Sequence, residues 1–203
     1  MEKTAHPDWL LRQARGGDPA MLGQLLELYR RYLMLLARVQ IGQRLQGKVD
    51  ASDLVQETFL EAHHHFPQFQ GSSEAQFVHW LRQILVAKLA ALIRRYLGTQ
   101  GRDVRLEREL EVAIDRSSLL LDRGLLAPGD SPSQQAERRE QAVLLADALG
   151  QLPDDYREVL VLRHLEELTF PEVARRMERT LDSVEKLWMR ALAKLKHVMR
   201  DHA

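Results

Sequence analysis

Apolar residues recur at three- and four-residue spacing along nearly the whole chain, and no run of strict alternation is long enough to suggest a strand. Asp18-Pro19 opens the first stripe, a capping carboxylate followed by proline in the first turn. Met21, Leu22, Leu25, Leu26, Tyr29, Leu33, Leu36 and Val39 continue it on one face. This predicts a single helix, ended by the glycine-containing polar stretch Gly42–Lys48. A second helix is predicted over Asp50–His65. Asp50, Ser52 and Asp53 suit its positive N-terminal end, and Leu54, Val55, Thr58, Phe59 and Ala62 form its inner face. Pro67–Ser73 reads as a loop. Phe77, Leu81, Ile84, Leu85, Leu89, Leu92 and Tyr96 then line a third helix, stopped by Gly98.

The pattern weakens from Gly98 to about Ala136, with a short helix predicted over Arg105–Ile114. Gly124 and Pro128-Gly129-Asp130-Ser131-Pro132-Ser133 have the composition of a linker. Four further helices follow, over Ala142–Leu149, Pro153–Leu165, Phe170–Met177 and Leu181–Val198. The expected fold is all-α: two small helical domains, residues 1–97 and 137–203, joined by a flexible linker over 98–136.

The second domain carries the sharpest local signal. Thr169-Phe170-Pro171-Glu172 is a capping box that opens a helix bearing Val173, Ala174 and Met177. The turn Glu178-Arg179-Thr180 follows, and Thr180 can cap the next helix. Val184, Leu187 and Trp188 should then face inward and Ser183, Lys186 and Arg190 outward. This is a helix-turn-helix, in which small Ala174 lets the crossing helices approach and the outward face is free to enter a DNA groove. The turn residue is Glu178 where glycine is usual, and a side chain adopts positive φ reluctantly. A plain helical hairpin with a solvated basic face is the other reading of this stretch.

Composition narrows the class. The 203 residues contain no cysteine, which excludes disulfides, thiolate-bound zinc, iron–sulfur clusters and thiol catalysis. The polar start Met1–Pro7 does not read as a signal peptide, and the apolar run Ile84–Ile93 is interrupted by Lys88 and too short to span a bilayer. A cytoplasmic protein without a membrane partner is expected. Net charge is zero, with 29 basic and 29 acidic residues, but the charges come in blocks. Asp50–Glu74 holds five acids and no Lys or Arg, and Trp80–Arg108 seven bases against two acids. Glu137–Glu172 holds nine acids against four bases, and Arg175–Arg200 eight bases against three acids. Two basic faces suit phosphate, and two acidic faces suit something else.

Catalytic and metal-binding signals do not assemble. Glu61-x-x-His64, beside His63 and His65, has the spacing of half a di-iron site. No second Glu-x-x-His exists in the chain, so a solvated helix end is expected there. There is no phosphate-cradling glycine loop and no G-x-S-x-G. No enzyme activity, cofactor, metal or small-molecule substrate is expected.

Two stretches carry a family resemblance. Asp53-Leu54-Val55-Gln56-Glu57-Thr58-Phe59 is similar to the "DLVQETF" signature of bacterial RNA polymerase sigma factors of the extracytoplasmic-function (ECF) group. Leu152-Pro153, Tyr156 to Arg163 and the helix-turn-helix after them resemble the family's fourth conserved region. With the Phe77–Arg95 helix, the resemblance covers about 9–97 and 135–199; the linker matches only in character. It implies a dissociable initiation factor that binds core RNA polymerase, recognises promoter DNA and promotes its melting, with an anti-sigma factor as a further partner of such proteins.

By the same resemblance, Asp53, Gln56 and Glu57 match the surface that docks on the polymerase clamp helices. Phe69, Gly71, Ser72, Ser73 and Phe77 match the loop region that holds the minus-ten element, and Trp80, Arg82, Lys88, Arg94 and Arg95 match the helix after it. On the residues alone, Phe77 reads as core, Trp80 as either core or DNA contact, and Arg94-Arg95 also complement a helix C-terminus. For the minus-35 element the resemblance implies Ser183, Lys186 and Arg190 in the major groove, with Arg175, Arg176 and Arg179 on flanking phosphates. The alternatives are a regulator that uses only the helix-turn-helix, or a helical, anti-sigma-like scaffold whose basic faces are solvated. The acidic helix beside a basic one in the N-terminal half argues against the regulator.

Overall fold

The computed structural model describes residues 6–45, 49–97, 104–122 and 134–201. Among them all regular structure is helical, and the chain divides into two compact units, Met1–Ile114 and Asp115–Ala203.

The first unit opens with a helix the stripe analysis passes over, α1 (Pro7–Arg15), which starts on Pro7 and buries Leu10, Leu11 and Ala14. Gly17, at φ 96°, turns the chain where a side chain would be strained. Asp18 then caps α2 (Pro19–Leu28), accepting from the Ala20 and Met21 amides at 2.9 and 3.4 Å. The single helix expected here is two. The chain bends at Tyr29, and α3 (Arg30–Leu45) continues beyond it into the stretch expected as loop. The ring of Tyr29 is 1% exposed, and its hydroxyl donates to Glu74 Oε1 at 2.7 Å. That tertiary bond is made at the bend.

Asp50 caps α4 (Ala51–His65), accepting from the Ser52 amide at 2.8 Å. The inner face is the expected one: Leu54, Val55, Thr58, Phe59 and Ala62 are buried, and the Thr58 hydroxyl donates back to the Leu54 carbonyl. A short 3-10 turn (Phe66–Gln68) leads into the loop before α5 (Glu74–Leu97), the long central helix, on which Phe77, Leu81, Leu85 and Leu89 are fully buried. The expected stop at Gly98 lies outside the described residues. Within the expected linker, α6 (Val104–Asp122) is longer than the short helix read from sequence. In the first unit it is tied to α5 by Gln83–Glu111 and Arg94–Glu107. The Pro/Gly-rich stretch Gly124–Ser133 lies outside the described residues.

In the second unit, α7 (Gln134–Gln151) precedes a turn closed by Arg157, which donates to the Leu149 and Leu152 carbonyls at 3.0 and 2.8 Å. The Leu149 carbonyl also accepts the Leu152 amide at 3.2 Å, so Arg157 and the turn together serve the carbonyls left over at the end of α7. Then α8 (Asp154–Leu160) runs into a π turn (Val161–Leu165), in which the Glu166 amide donates to the Val161 carbonyl five residues back. Last come α9 (Phe170–Arg176) and α10 (Leu181–Arg200). On α10, Val184, Leu187, Ala191, Leu195 and Val198 form one buried stripe, packed on α7, α8 and α9.

Glu178 occupies the turn between α9 and α10 at φ 53°, in the left-handed region. The Arg179 amide behind it donates to the Ala174 carbonyl at 2.9 Å, closing α9 with the six-to-one bond of a Schellman turn. Left-handed backbone costs a side-chain-bearing residue about 1–2 kcal/mol, part of which glycine returns as chain entropy. Glu178 is exposed, so its side chain gives up no packing. Glu178→Gly should therefore stabilise the protein by about 1 kcal/mol. Thermal unfolding checks this; an unchanged or lower Tm contradicts it.

Candidate functional site

The first surface is the outer face of α4. Asp53, Gln56 and Glu57 are all exposed, opposite the buried Leu54–Val55–Phe59 face. Leu60 continues the same stripe at the next i+3 step and is 66% exposed. Sequence reading did not single it out, although its spacing from Gln56 and Glu57 puts it on that face. The surface is acidic at one end, with one exposed apolar side chain in line.

The second surface surrounds the loop before α5. Phe66, Phe69, Phe77 and Trp80 form one aromatic cluster, with ring centroids 4.9–6.4 Å apart. Phe77 lies at its centre with no exposure, as core, whereas Trp80 is only half-buried. A Cβ at Gly71 would overlap the Phe69 ring, so glycine is what lets that ring fold back over the loop toward Trp80. Beside it a cleft of about 480 Å³ opens among Arg15, Asp18, Leu22, His63, Phe66 and Phe69.

The cations matched to this region are not equally available. Lys88 bonds Glu61 of α4 at 2.5 Å, and His65 reaches the same carboxylate at 2.9 Å. The Lys88 ammonium holds the Glu61 carboxyl below its ordinary pKa. Arg94 pairs with Glu107 at 3.3 Å, and Arg82 donates to the Tyr32 hydroxyl at 3.3 Å. Arg95 is exposed, with its guanidinium 5.8 Å from the centre of the Tyr96 ring. Trp80 and Arg95 thus offer themselves to solvent, while Lys88, Arg82 and Arg94 also serve packing. Among the described residues no group of three His, Asp or Glu side chains is arranged to hold a metal ion.

The third surface is the helix-turn-helix. Glu172 Oε2 accepts from the Thr169 amide at 2.7 Å and from its hydroxyl at 2.6 Å, which lowers the Glu172 pKa. Thr180 accepts from the Ser183 amide at 3.3 Å and so caps α10. Val173, Ala174, Val184 and Leu187 are buried between the two helices, as the spacing required. Lys186 and Arg190 are exposed and Ser183 partly so; Arg175, Arg176 and Arg179 line the exposed side of α9 and its turn. Two of these cations are held locally, Lys186 by Asp182 at 2.8 Å and Arg179 by Asp155 at 2.5 Å.

Trp188 is half-buried, and its indole N–H donates to His164 Nε2 at 3.0 Å. His164 sits on the π turn, with its ring stacked near Trp188, while Phe170 meets the indole edge-to-face and carries the Arg163 guanidinium. To accept from the indole, His164 must be neutral. Burial lowers its pKa, with Arg163 adding to the effect. A histidine whose folded pKa is depressed contributes stability that is full above about pH 6.5 and lost as pH falls through the folded value. Wild type should therefore lose Tm below that pH more steeply than His164→Gln, which keeps an acceptor but does not titrate; parallel curves would exclude this assignment.

Comparison with known proteins agrees on both units. Sigma-70 region 2 matches residues 28–100, and Sigma-70 region 4 matches residues 142–195. RNA polymerase sigma factor CnrH of Cupriavidus metallidurans is 30% identical, over 92% of this chain and 90% of its own length. The ECF RNA polymerase sigma-E factor of Haemophilus influenzae is 28% identical, over 90% of this chain and 89% of its own. A solved structure of CnrH in complex with the cytosolic domain of CnrY aligns at 22% identity and a TM-score of 0.33, covering 97% of this chain and 98% of that one. With both conserved regions matched in order and relatives aligned along nearly the full length, the chain belongs to the ECF group of sigma-70 family RNA polymerase sigma factors.

Proposed function

We propose that residues 1–97 form the core-docking and minus-ten domain of this sigma factor, 137–203 its minus-35 domain, and 98–136 the connection between them. Asp53, Gln56 and Glu57 dock on the polymerase clamp. Trp80 and Arg95, with Arg82, Lys88 and Arg94 behind them, receive the non-template strand of the melted promoter. Ser183, Lys186 and Arg190 enter the major groove, with Arg175, Arg176 and Arg179 on phosphates. A cytoplasmic site of action follows from the partner. No helix among the described residues is long and apolar enough to cross a membrane.

The observation that carries this reading is the separation of surfaces within the unit matched by region 2. The exposed stripe of α4 is acidic and apolar, while α5 carries the aromatic Trp80 surface near its start and the exposed Arg95 near its end. Single-strand capture needs that second pairing of a stacking surface with positive charge. The test is reconstitution: purified chain added to a bacterial core polymerase should yield transcripts from discrete promoters selected out of a randomised duplex library. Transcription no more specific than that of core alone would overturn the reading.

Free of polymerase, the chain should bind duplex promoter DNA poorly. Net charge is zero, and acidic blocks adjoin the basic ones in sequence. Phosphate binding scales with the contacts made, and unshielded carboxylates oppose it. Electrophoretic mobility shift at physiological salt checks this; tight specific binding by the isolated full-length chain is the contrary result.

A further inference from the structure

The loop ahead of α5 has little regular structure of its own, yet it sets where Phe69 stands against Trp80. It is held from α1, outside the residues matched by region 2. Asp8 Oδ1 accepts the Glu74 amide at 2.9 Å, across 66 residues of chain. That amide opens α5 and has no acceptor within its own helix. Seven residues on, Arg15 Nη1 donates to the Gly71 carbonyl at 2.9 Å, across 56 residues. The Glu74 carboxylate in turn accepts from Tyr29, and Gln76 Oε1 accepts the Ser72 amide at 2.8 Å. Asp8 and Arg15 lie two helical turns apart beside buried Leu11, so the packing that holds Leu10, Leu11 and Ala14 also aims both at the loop.

We propose that α1 is a positioning element for strand capture: Asp8 and Arg15 grip the two ends of the Gly71–Glu74 segment and thereby hold Phe69 behind the Trp80 indole. This rests on the reading of the Trp80 surface as the receiver of the melted strand. Neither residue touches DNA in this role. A stacking platform is effective only when its ring is held in place before the base arrives, since ordering it afterward subtracts from affinity.

The test uses the full chain alone and in complex with core polymerase. In the free chain, amide exchange over Gly71–Glu74 should accelerate about tenfold in Asp8→Ala and Arg15→Ala, the loss expected for one such hydrogen bond. Far-UV circular dichroism should not change. In the holoenzyme, affinity for a pre-melted minus-ten template, taken from a library-selected promoter, should fall by a similar factor. Asp8→Asn and Arg15→Lys, which keep an acceptor and a donor, should recover most of both effects. If Asp8→Ala loosens α1 itself, Arg15→Ala, at the other end of the helix, tests the same loop. Unchanged exchange overturns the proposal, and so does faster exchange with wild-type strand affinity. Trp80→Ala separates the two levels. If it leaves strand affinity intact, the receiving surface is misassigned and the proposed role of α1 falls with it; if it lowers affinity while the α1 variants do not, only the role of α1 falls.

Discussion

Asp53→Arg combined with Glu57→Arg is expected to abolish co-purification with core polymerase while leaving the fold intact. Both side chains are exposed on the side of α4 away from Leu54, Val55 and Phe59, so nothing in the core is disturbed. Docking, by contrast, would meet two reversed charges one helical turn apart. Removing one partner of a close interfacial charge pair costs about 2–5 kcal/mol, so two reversals should weaken association on the order of a thousandfold or more. The free variant should unfold within a few degrees of wild type. Wild-type yield of the complex would show that α4 does not dock there.

The second large effect is a division between templates. Trp80→Ala removes a stacking surface worth about 1–3 kcal/mol per base, and Arg95→Ala removes an exposed cation about four turns further along the same helix. Both should impair opening of a duplex promoter, and a pre-melted bubble should rescue Trp80→Ala. Lys186→Ala and Arg190→Ala should weaken minus-35 reading, which no bubble restores. Loss of a bidentate base contact costs on the order of 1–3 kcal/mol and relaxes preference at one position, whereas loss of a phosphate contact weakens all sequences alike. Lys186 must leave Asp182 to reach DNA, so its net effect should be the smaller of the two. Permanganate footprinting with transcription on duplex and bubble templates separates the classes. A bubble that rescues both alike, or neither, would contradict the assignment.

Where a helix is specified by its own spacing and caps, it could be read from sequence. Both walls of the helix-turn-helix, the inner face of α4 and the buried line of α5 are periodic, and a period needs no knowledge of neighbours. The positive φ at Glu178 was legible for the same reason, since the motif leaves that residue no other way to turn. What escaped is what distant chain decides. Tyr29 sits on the apolar stripe like any core residue, and its bond to Glu74, 45 residues away, has no local trace. Lys88 reads as a free cation until α4 brings Glu61 against it. The cap that Asp8 places on α5 spans 66 residues, and α1 itself is short enough that its three buried side chains make a weak period.

The π turn at Val161–Leu165 has a consequence for chain length. An i to i+5 bond accommodates one residue more than the α-helical i to i+4 bond. Deleting a single residue there would let the same turn close as ordinary α-helix, with every backbone bond still made. The chain beyond would keep close to its present direction, because the wider π turn spends five residues on the rotation that α-helix completes in about four. An inserted residue has no such slack to use, and would swing everything from Glu166 onward by about 100° relative to α8. The π turn is therefore a spare residue in the spacing between Leu160 and Thr169, and shortening that spacing by one should be tolerated far better than lengthening it.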